Sequence, residues 1–339
     1  MSEVFQPATP LASPHLQTLW GPLLRRPPPL KRQAERLALE DGDHLWLWHA
    51  GPPPQRGRPE VLLLHGLAGC EQSHYARGLQ ARLAEAGVAS CIACARGAGD
   101  RPNDRARTWH AGETGDVRQV IEHLAARAPG NSLVVVGFSL GGSQLLNLLA
   151  EGETPGVAAA VAVSVPLQLA ACSERLNRGL SRIYRAHLLR QLVASLETKK
   201  RYLEHAFPGE AQRLQALGPL ADIRTFREFD DRVIAPLHGF RDADDYYARC
   251  STAAKLGRIR TPTLLIHALD DPFMVPDVVP SPQQMSQAIQ PEISSRGGHV
   301  GFVTGSAARP RYWLEQRIPA FLAPWLDARL CPDTGTDTD

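Results

Sequence analysis

A mostly parallel α/β sheet covered by helices on both faces, with a helical insertion in the second half of the chain, is the architecture this sequence predicts. Three observations predict it. Short apolar runs at Glu60–His65, Val88–Cys94, Leu133–Val136, Val157–Val165 and Thr263–Ala268 read as buried strands. Segments of helical period, such as Tyr75–Ala86 and Thr114–Ala128, separate the early ones. From Leu167 to Arg260 the alternation stops, and roughly ninety residues carry a helical pattern, far beyond the ~2–6 residues of an ordinary connection. Alternating β and α elements bury their apolar faces best as a parallel sheet between two helical layers.

The elements follow in order. Residues 1–34 are Pro-rich without clear period and read as an N-terminal arm. Arg36–Glu40 and His44–Ala50 alternate apolar and polar around Asp41-Gly42, a hairpin signal that implies an antiparallel edge. Gly130-Asn131 ends the Thr114–Ala128 helix. Leu140–Ala150 is helical, and Val157–Val165 is a strand of small and β-branched residues. Beyond the insertion, Glu292–Ser295 is a weak strand and Tyr312–Leu326 a final amphipathic helix. The expected organisation is an arm (1–34), a core in two parts (35–166 and 261–328), a helical lid insertion (167–260) and a polar, frayed tail (329–339).

Composition excludes several classes. The 339 residues hold 37 Lys+Arg against 35 Asp+Glu, a net charge of +2. Without clustered excess cation there is no counterion-release drive toward nucleic acid. Met1–Pro14 has no basic start and no apolar segment, so it is not a secretory signal. The charge-free stretches Pro129–Ala150 and Pro155–Ser173 are broken by turn residues and read as strand, turn and helix, so no membrane anchor is expected. Cys91 and Cys94 fall three apart in a strand and point to opposite faces, and no second Cys/His pair stands at zinc spacing.

One motif carries chemistry. Gly137-Phe138-Ser139-Leu140-Gly141 is G-x-S-x-G, preceded by a buried strand and followed by a helix. That is the setting of a nucleophile elbow, where a tight turn exposes the serine and the helix N-terminus favours developing negative charge. A serine hydroxyl needs a base to take its proton. In this architecture the partners follow in the order Ser, acid, His. The late strand Thr263–Ala268 leads to Leu269-Asp270-Asp271-Pro272, and Asp271, nearer the apex and fixed by Pro272, is preferred over Asp270. His299, in Gly297-Gly298-His299, is the sole histidine after that acid. The oxyanion of an acyl intermediate needs donors. Leu140 N–H follows the nucleophile, and Leu67 N–H lies in the loop His65–Gly69 after the strand at 60–65. His65 precedes the serine and reads as a brace.

These residues sit inside a larger set. HGLAG (65–69), RGAGD (96–100), WHAGETGD (109–116), GFSLGG (137–142), REFDD (227–231), DDYYARCS (244–251), HALDDPF (267–273) and GGHVGF (297–302), with His15-Leu16-Gln17-Thr18 near the start, resemble the YheT-like α/β-hydrolases over about residues 12–327. The resemblance implies an α/β-hydrolase fold with an eight-stranded sheet and a serine esterase using Ser139, Asp271 and His299. It favours the second Asp of the DDPF pair, and it is similar to the soluble bacterial branch, which implies a cytoplasmic protein. Ala98 and Trp109 depart from the family, where Cys or Ser, and Tyr, are common.

The combined expectation is a carboxylic ester hydrolase acting through an acyl-enzyme on small or medium acyl esters, with a small-molecule partner and neither metal nor organic cofactor. Acyl transfer or thioester hydrolysis by the same triad is the alternative, and oligomeric state is not legible. His110 and Glu113 either line the cleft or cap a helix. Arg227, Glu228, Asp230 and Asp231 are expected to hold the lid by salt bridges. Tyr246 and Tyr247 belong to the lid core or to the pocket wall.

Overall fold

The computed structural model describes residues 5–54 and 57–326. Eight strands form one sheet: β1 (Arg32–Ala38), β2 (His44–Ala50), β3 (Glu60–Leu64), β4 (Ser90–Cys94), β5 (Leu133–Phe138), β6 (Val157–Val163), β7 (Thr263–Ala268) and β8 (Ile289–Ser294). Their spatial order is β1-β2-β4-β3-β5-β6-β7-β8. β1 and β4 each pair antiparallel with β2, and every pairing from β4 to β8 is parallel. The expected hairpin therefore forms the antiparallel edge.

Period-2 alternation explains why the central strands are apolar throughout. In β3, Leu62 and Leu64 enter one core and Val61 and Leu63 the other; in β5, Leu133 and Val135 oppose Val134, Val136 and Phe138. Both faces are covered by helices, so neither can be polar. Helices α2 (His74–Glu85) and α11 (Leu314–Leu326) close one face. Helices α3 (Thr114–Arg127) and α4 (Leu140–Ala150) close the other. Cys91 joins the α3/α4 face, while Cys94 lies two positions on from Ile92 of the opposite face, as the strand period requires.

Between β6 and β7 the chain is helical: α5 (Leu169–Arg175), α6 (Ser181–Ala206), α7 (Pro208–Gln215), α8 (Phe226–Phe229), α9 (Ala235–His238) and α10 (Ala243–Cys250). A π turn, Asp230–Ile234, joins α8 to α9. These helices share a third apolar core that includes Leu189, Leu196, Leu203, Phe226 and Tyr246, against which Leu67 and Leu140 pack. The insertion thus sits over the residues that leave β3 and β5 at their carboxyl ends.

Two elements depart from the sequence reading. The arm contains a helix, α1 (Pro14–Leu24), started by Pro14 at its first position. A second, two-stranded sheet, β9 (Val303–Ser306) with β10 (Arg309–Tyr312), follows the Gly-Gly-His segment. Both strands are short and mostly exposed, so they lack the apolar signature that marks a strand. The tail expected at 329–339 lies outside the described residues. Among the described residues, no helix is long and apolar enough to cross a membrane.

Candidate active site

The turn between β5 and α4 places Ser139. Its backbone sits at φ 50°, ψ −119°, a region that costs a non-glycine residue of order 1–3 kcal/mol. The strain is held by the Ser139 N–H to Val163 O bond (2.8 Å) and by close backbone packing. A Cβ on Gly141 would run into the carbonyl oxygens of His65 and Leu64, and one on Gly66 would lie 3.0 Å from Ser139 Cβ. Glycine at these positions lets the β3 and β5 turns approach each other.

The structure brings Ser139, His299 and Asp271 together. His299 Nε2 lies 3.0 Å from Ser139 Oγ, and His299 Nδ1 lies 2.7 Å from Asp271 Oδ2. Asp271 is buried, and its Oδ1 accepts the Phe273 N–H (2.8 Å). Phe273 stacks on the imidazole at 4.1 Å and 10°. Asp270 points elsewhere: its Oδ1 accepts the Gly298 N–H at 2.9 Å. Its carboxyl is raised, chiefly by burial.

Leu67 follows β3 and Leu140 opens α4, and both line the same cavity as Ser139. Among the described residues no protein acceptor takes either N–H. Leu140 N–H is one of the unpaired donors at a helix N-terminus. His65 is a brace, as the sequence implies. Its Nε2 accepts the Ala95 N–H (3.1 Å), so its Nδ1 carries the proton and donates to Gly66 O (2.8 Å). Burial lowers its pKa and keeps it neutral.

The cavity beneath the insertion has a volume of about 1460 Å³ and an apolar lining. With this geometry the comparisons with known proteins become informative. The alpha/beta hydrolase fold model matches residues 59–306. YheT of Escherichia coli strain K12, provisionally named an esterase, is 39% identical over 97% of this chain and 96% of its own. The chain belongs to the YheT-like branch of the alpha/beta hydrolase fold family. Phospholipase ABHD3 of Mus musculus is 29% identical over 90% of this chain and 75% of its own. A solved esterase of Pyrococcus furiosus, Pf2001, superposes with a TM-score of 0.56 over 88% of this chain and 92% of its own, at 15% identity, a likeness of fold.

Family motifs outside the triad acquire contacts. Thr18, of the His15–Thr18 segment, accepts the His299 N–H through Oγ1 at 2.9 Å. Gln17 accepts the Val303 N–H (2.7 Å) and donates to Val303 O (3.0 Å). Helix α1 therefore clamps the loop that presents His299. Sequence reasoning gave these residues no role, because contacts across more than 280 positions leave no local trace.

Arg96, of the RGAGD segment, is buried and gives Nε and Nη2 to Asp116 (2.7 Å each) and Nη1 to Asp41 (2.7 Å) and Asp43 (2.8 Å). It joins the β1–β2 turn to the start of α3. His110 lines the cavity. Glu113 precedes α3 without a side-chain capping bond; it pairs with Arg107 at 2.6 Å instead. His110 and His238 pack edge to face, and burial lowers both pKa values, to about 4 and about 2.

In the insertion, Arg227 forms a bidentate pair with Asp244 (2.8 and 2.5 Å), and Glu228 completes a capping box with Thr225. Asp231 accepts the Ala243 N–H (2.6 Å). The Arg227 pair joins α8 to α10, Asp231 ties the π turn to α10, and the capping box closes the start of α8. Asp230 differs: it is buried, faces the cavity and accepts one hydrogen bond, from Tyr247 OH (2.6 Å). Burial, with the nearby charge of Asp231, pushes it up to about 7. Tyr247 also reaches Ser173 Oγ (3.2 Å), while Tyr246 OH accepts the Ala111 N–H (3.1 Å). Both tyrosines are lid core and cavity wall at once.

Proposed function

We propose that this chain is a serine carboxylic ester hydrolase that works through an acyl-enzyme. The observation that carries the reading is the continuous Asp271–His299–Ser139 relay at 2.7 and 3.0 Å. In this reading His299 takes the Ser139 proton as Oγ attacks the acyl carbon. Asp271 holds Nδ1–H, so Nε2 is free to accept, and it stabilises the imidazolium that forms. The N–H groups of Leu67 and Leu140 receive the oxyanion. His299 then protonates the leaving alcohol, and water repeats the sequence to release the acid.

Relatives named as esterase and phospholipase support an ester substrate. Buried free thiols at Cys91, Cys94, Cys172 and Cys250 support residence in a reducing compartment, the cytoplasm. Fluorophosphonate labelling tests the assignment. Wild type should label at Ser139, and Ser139→Ala should neither label nor hydrolyse nitrophenyl esters. Equal labelling of the two proteins removes Ser139 from the role.

A further inference from the structure

Helix α1 faces the wrong way for a helix in water. Its buried residues are Gln17, Thr18 and Gly21. Its apolar residues Leu16, Leu19 and Leu23, at i, i+3 and i+7, form one stripe that is exposed to solvent. Leu23 is 71% exposed and the neighbouring Leu24 63%. Across the cavity mouth, Leu180 and Ile183 at the start of α6 are 59% and 66% exposed. Leu19, Leu23, Leu180 and Ile183 also line the cavity that holds Ser139. They are therefore its lip. Six of the ten exposed large apolar side chains among the described residues lie on these two segments. Exposed apolar side chains gathered on two segments that line one cavity mark an interaction face.

The charge around the lip is mostly positive. Residues 14–31 contain Arg26 and Lys31 beside Arg25, whose side chain is buried and paired with Glu315, and hold no acid of their own. Residues 175–196 contain Arg175, Arg178, Arg182, Arg185 and Arg190 without an acid, and Glu174, just before them, pairs Arg178. Arg182 and Arg190 are exposed, line the mouth and have no acidic partner among the described residues. The one acidic group on the opposite lip, Asp100, is followed by Arg101. This bias is local, since the whole chain carries only +2. Helix α1 has 11 residues, about 16 Å at 1.5 Å each, and is too short to span a bilayer of ~30 Å. An apolar stripe flanked by arginines suits a helix lying in the headgroup region of an anionic lipid surface.

We propose that the α1/α6 mouth docks on an anionic lipid surface, so that an amphiphilic, long-chain ester passes from that surface into the cavity. The passage of the ester to Ser139 rests on the ester-hydrolase reading; the docking does not. Docking sets the stripe of Leu16, Leu19 and Leu23 and the pair Leu180 and Ile183 among acyl chains, with the arginines at the phosphates. The cavity exceeds the ~300–1,000 Å³ of an ordinary small-ligand pocket and has room for a long chain.

Sedimentation with phosphatidylcholine vesicles, with and without phosphatidylglycerol, tests the docking. Wild type and Ser139→Ala should both bind the phosphatidylglycerol vesicles, and binding should weaken as salt rises. Leu23→Asp and Ile183→Asp should each lower the vesicle affinity about tenfold or more. Arg182→Glu with Arg190→Glu should remove most of the preference for phosphatidylglycerol. All these mouth variants should keep the wild-type circular dichroism spectrum and thermal melting midpoint, which shows that they fold. No vesicle binding by wild type, or unchanged binding by the mouth variants, overturns the proposal. Wild type that is dimeric in solution, with Leu23→Asp monomeric and vesicles unbound, overturns it too and assigns the face to a second copy. Loss of fluorophosphonate labelling with vesicle binding intact would instead sink the hydrolase reading alone.

Discussion

Asp271 holds the imidazole of His299 at 2.7 Å, while its neighbour Asp270 holds the backbone of the loop before it, at Gly298. The two carboxylates are adjacent in sequence and differ in task. Asp271→Asn should keep the fold and lower kcat by about 10⁴-fold, because an amide can favour the wrong tautomer. Asp270→Asn still offers an oxygen to Gly298 N–H and should stay within about tenfold of wild type. Steady-state hydrolysis of a short nitrophenyl ester compares them. The reverse order of losses would assign the acid to Asp270.

Close approach at the elbow makes a second prediction. Gly141→Ala drives a Cβ into the His65 and Leu64 carbonyl oxygens, which are backbone and cannot turn aside. The expected cost is about 1–3 kcal/mol, with loss of activity from displacement of Ser139. Gly209→Ala, in α7, meets nothing within 4 Å and should be neutral or stabilising by about 0.4–1 kcal/mol. Thermal melting of the two variants separates these outcomes.

Arg96 is the hub of a buried ion cluster that joins β4 to the β1–β2 turn and to α3. Arg96→Met leaves Asp43 and Asp116 buried without their cation, which should destabilise the fold by about 3–5 kcal/mol. Denaturant unfolding measures it. A loss below about 1 kcal/mol would show that water reaches the two carboxylates.

Asp230 gives a pH dependence of known sign. Folded, its carboxyl is pushed up to about 7; unfolded, it titrates near ~3.9. Between these values the folded protein keeps a proton that the unfolded chain releases. Its contribution to stability is therefore present at low pH and is lost as pH rises from about 4 to about 7. Asp230→Asn cannot ionise and should gain on wild type by a few kcal/mol across that window. Denaturant midpoints from pH 4 to 8 check it, and a constant difference between the proteins would refute the shift.

Local pattern made much of this legible. The strand runs at Glu60–His65, Leu133–Val136 and Thr263–Ala268 are apolar on both faces because helices cover both faces of the sheet, and each appears where expected. Helix α1 is hard to read because it is short and carries Gly21 and Pro22, residues that ordinarily end a helix. β9 and β10 were missed because they bury little.

The sequence by itself determined the alternation of elements, the Ser139 elbow and the order of candidate acid and base. All of these are written in neighbouring residues, through period, glycine placement and turn chemistry. Only the tertiary structure decided that Thr18 holds the His299 backbone and that Arg96 gathers three aspartates. It also decided that Asp230 meets a tyrosine in the cavity and, among the described residues, no cation. Such contacts depend on how distant segments pack, and a buried charge takes its pKa and its cost from that packing rather than from its sequence neighbours.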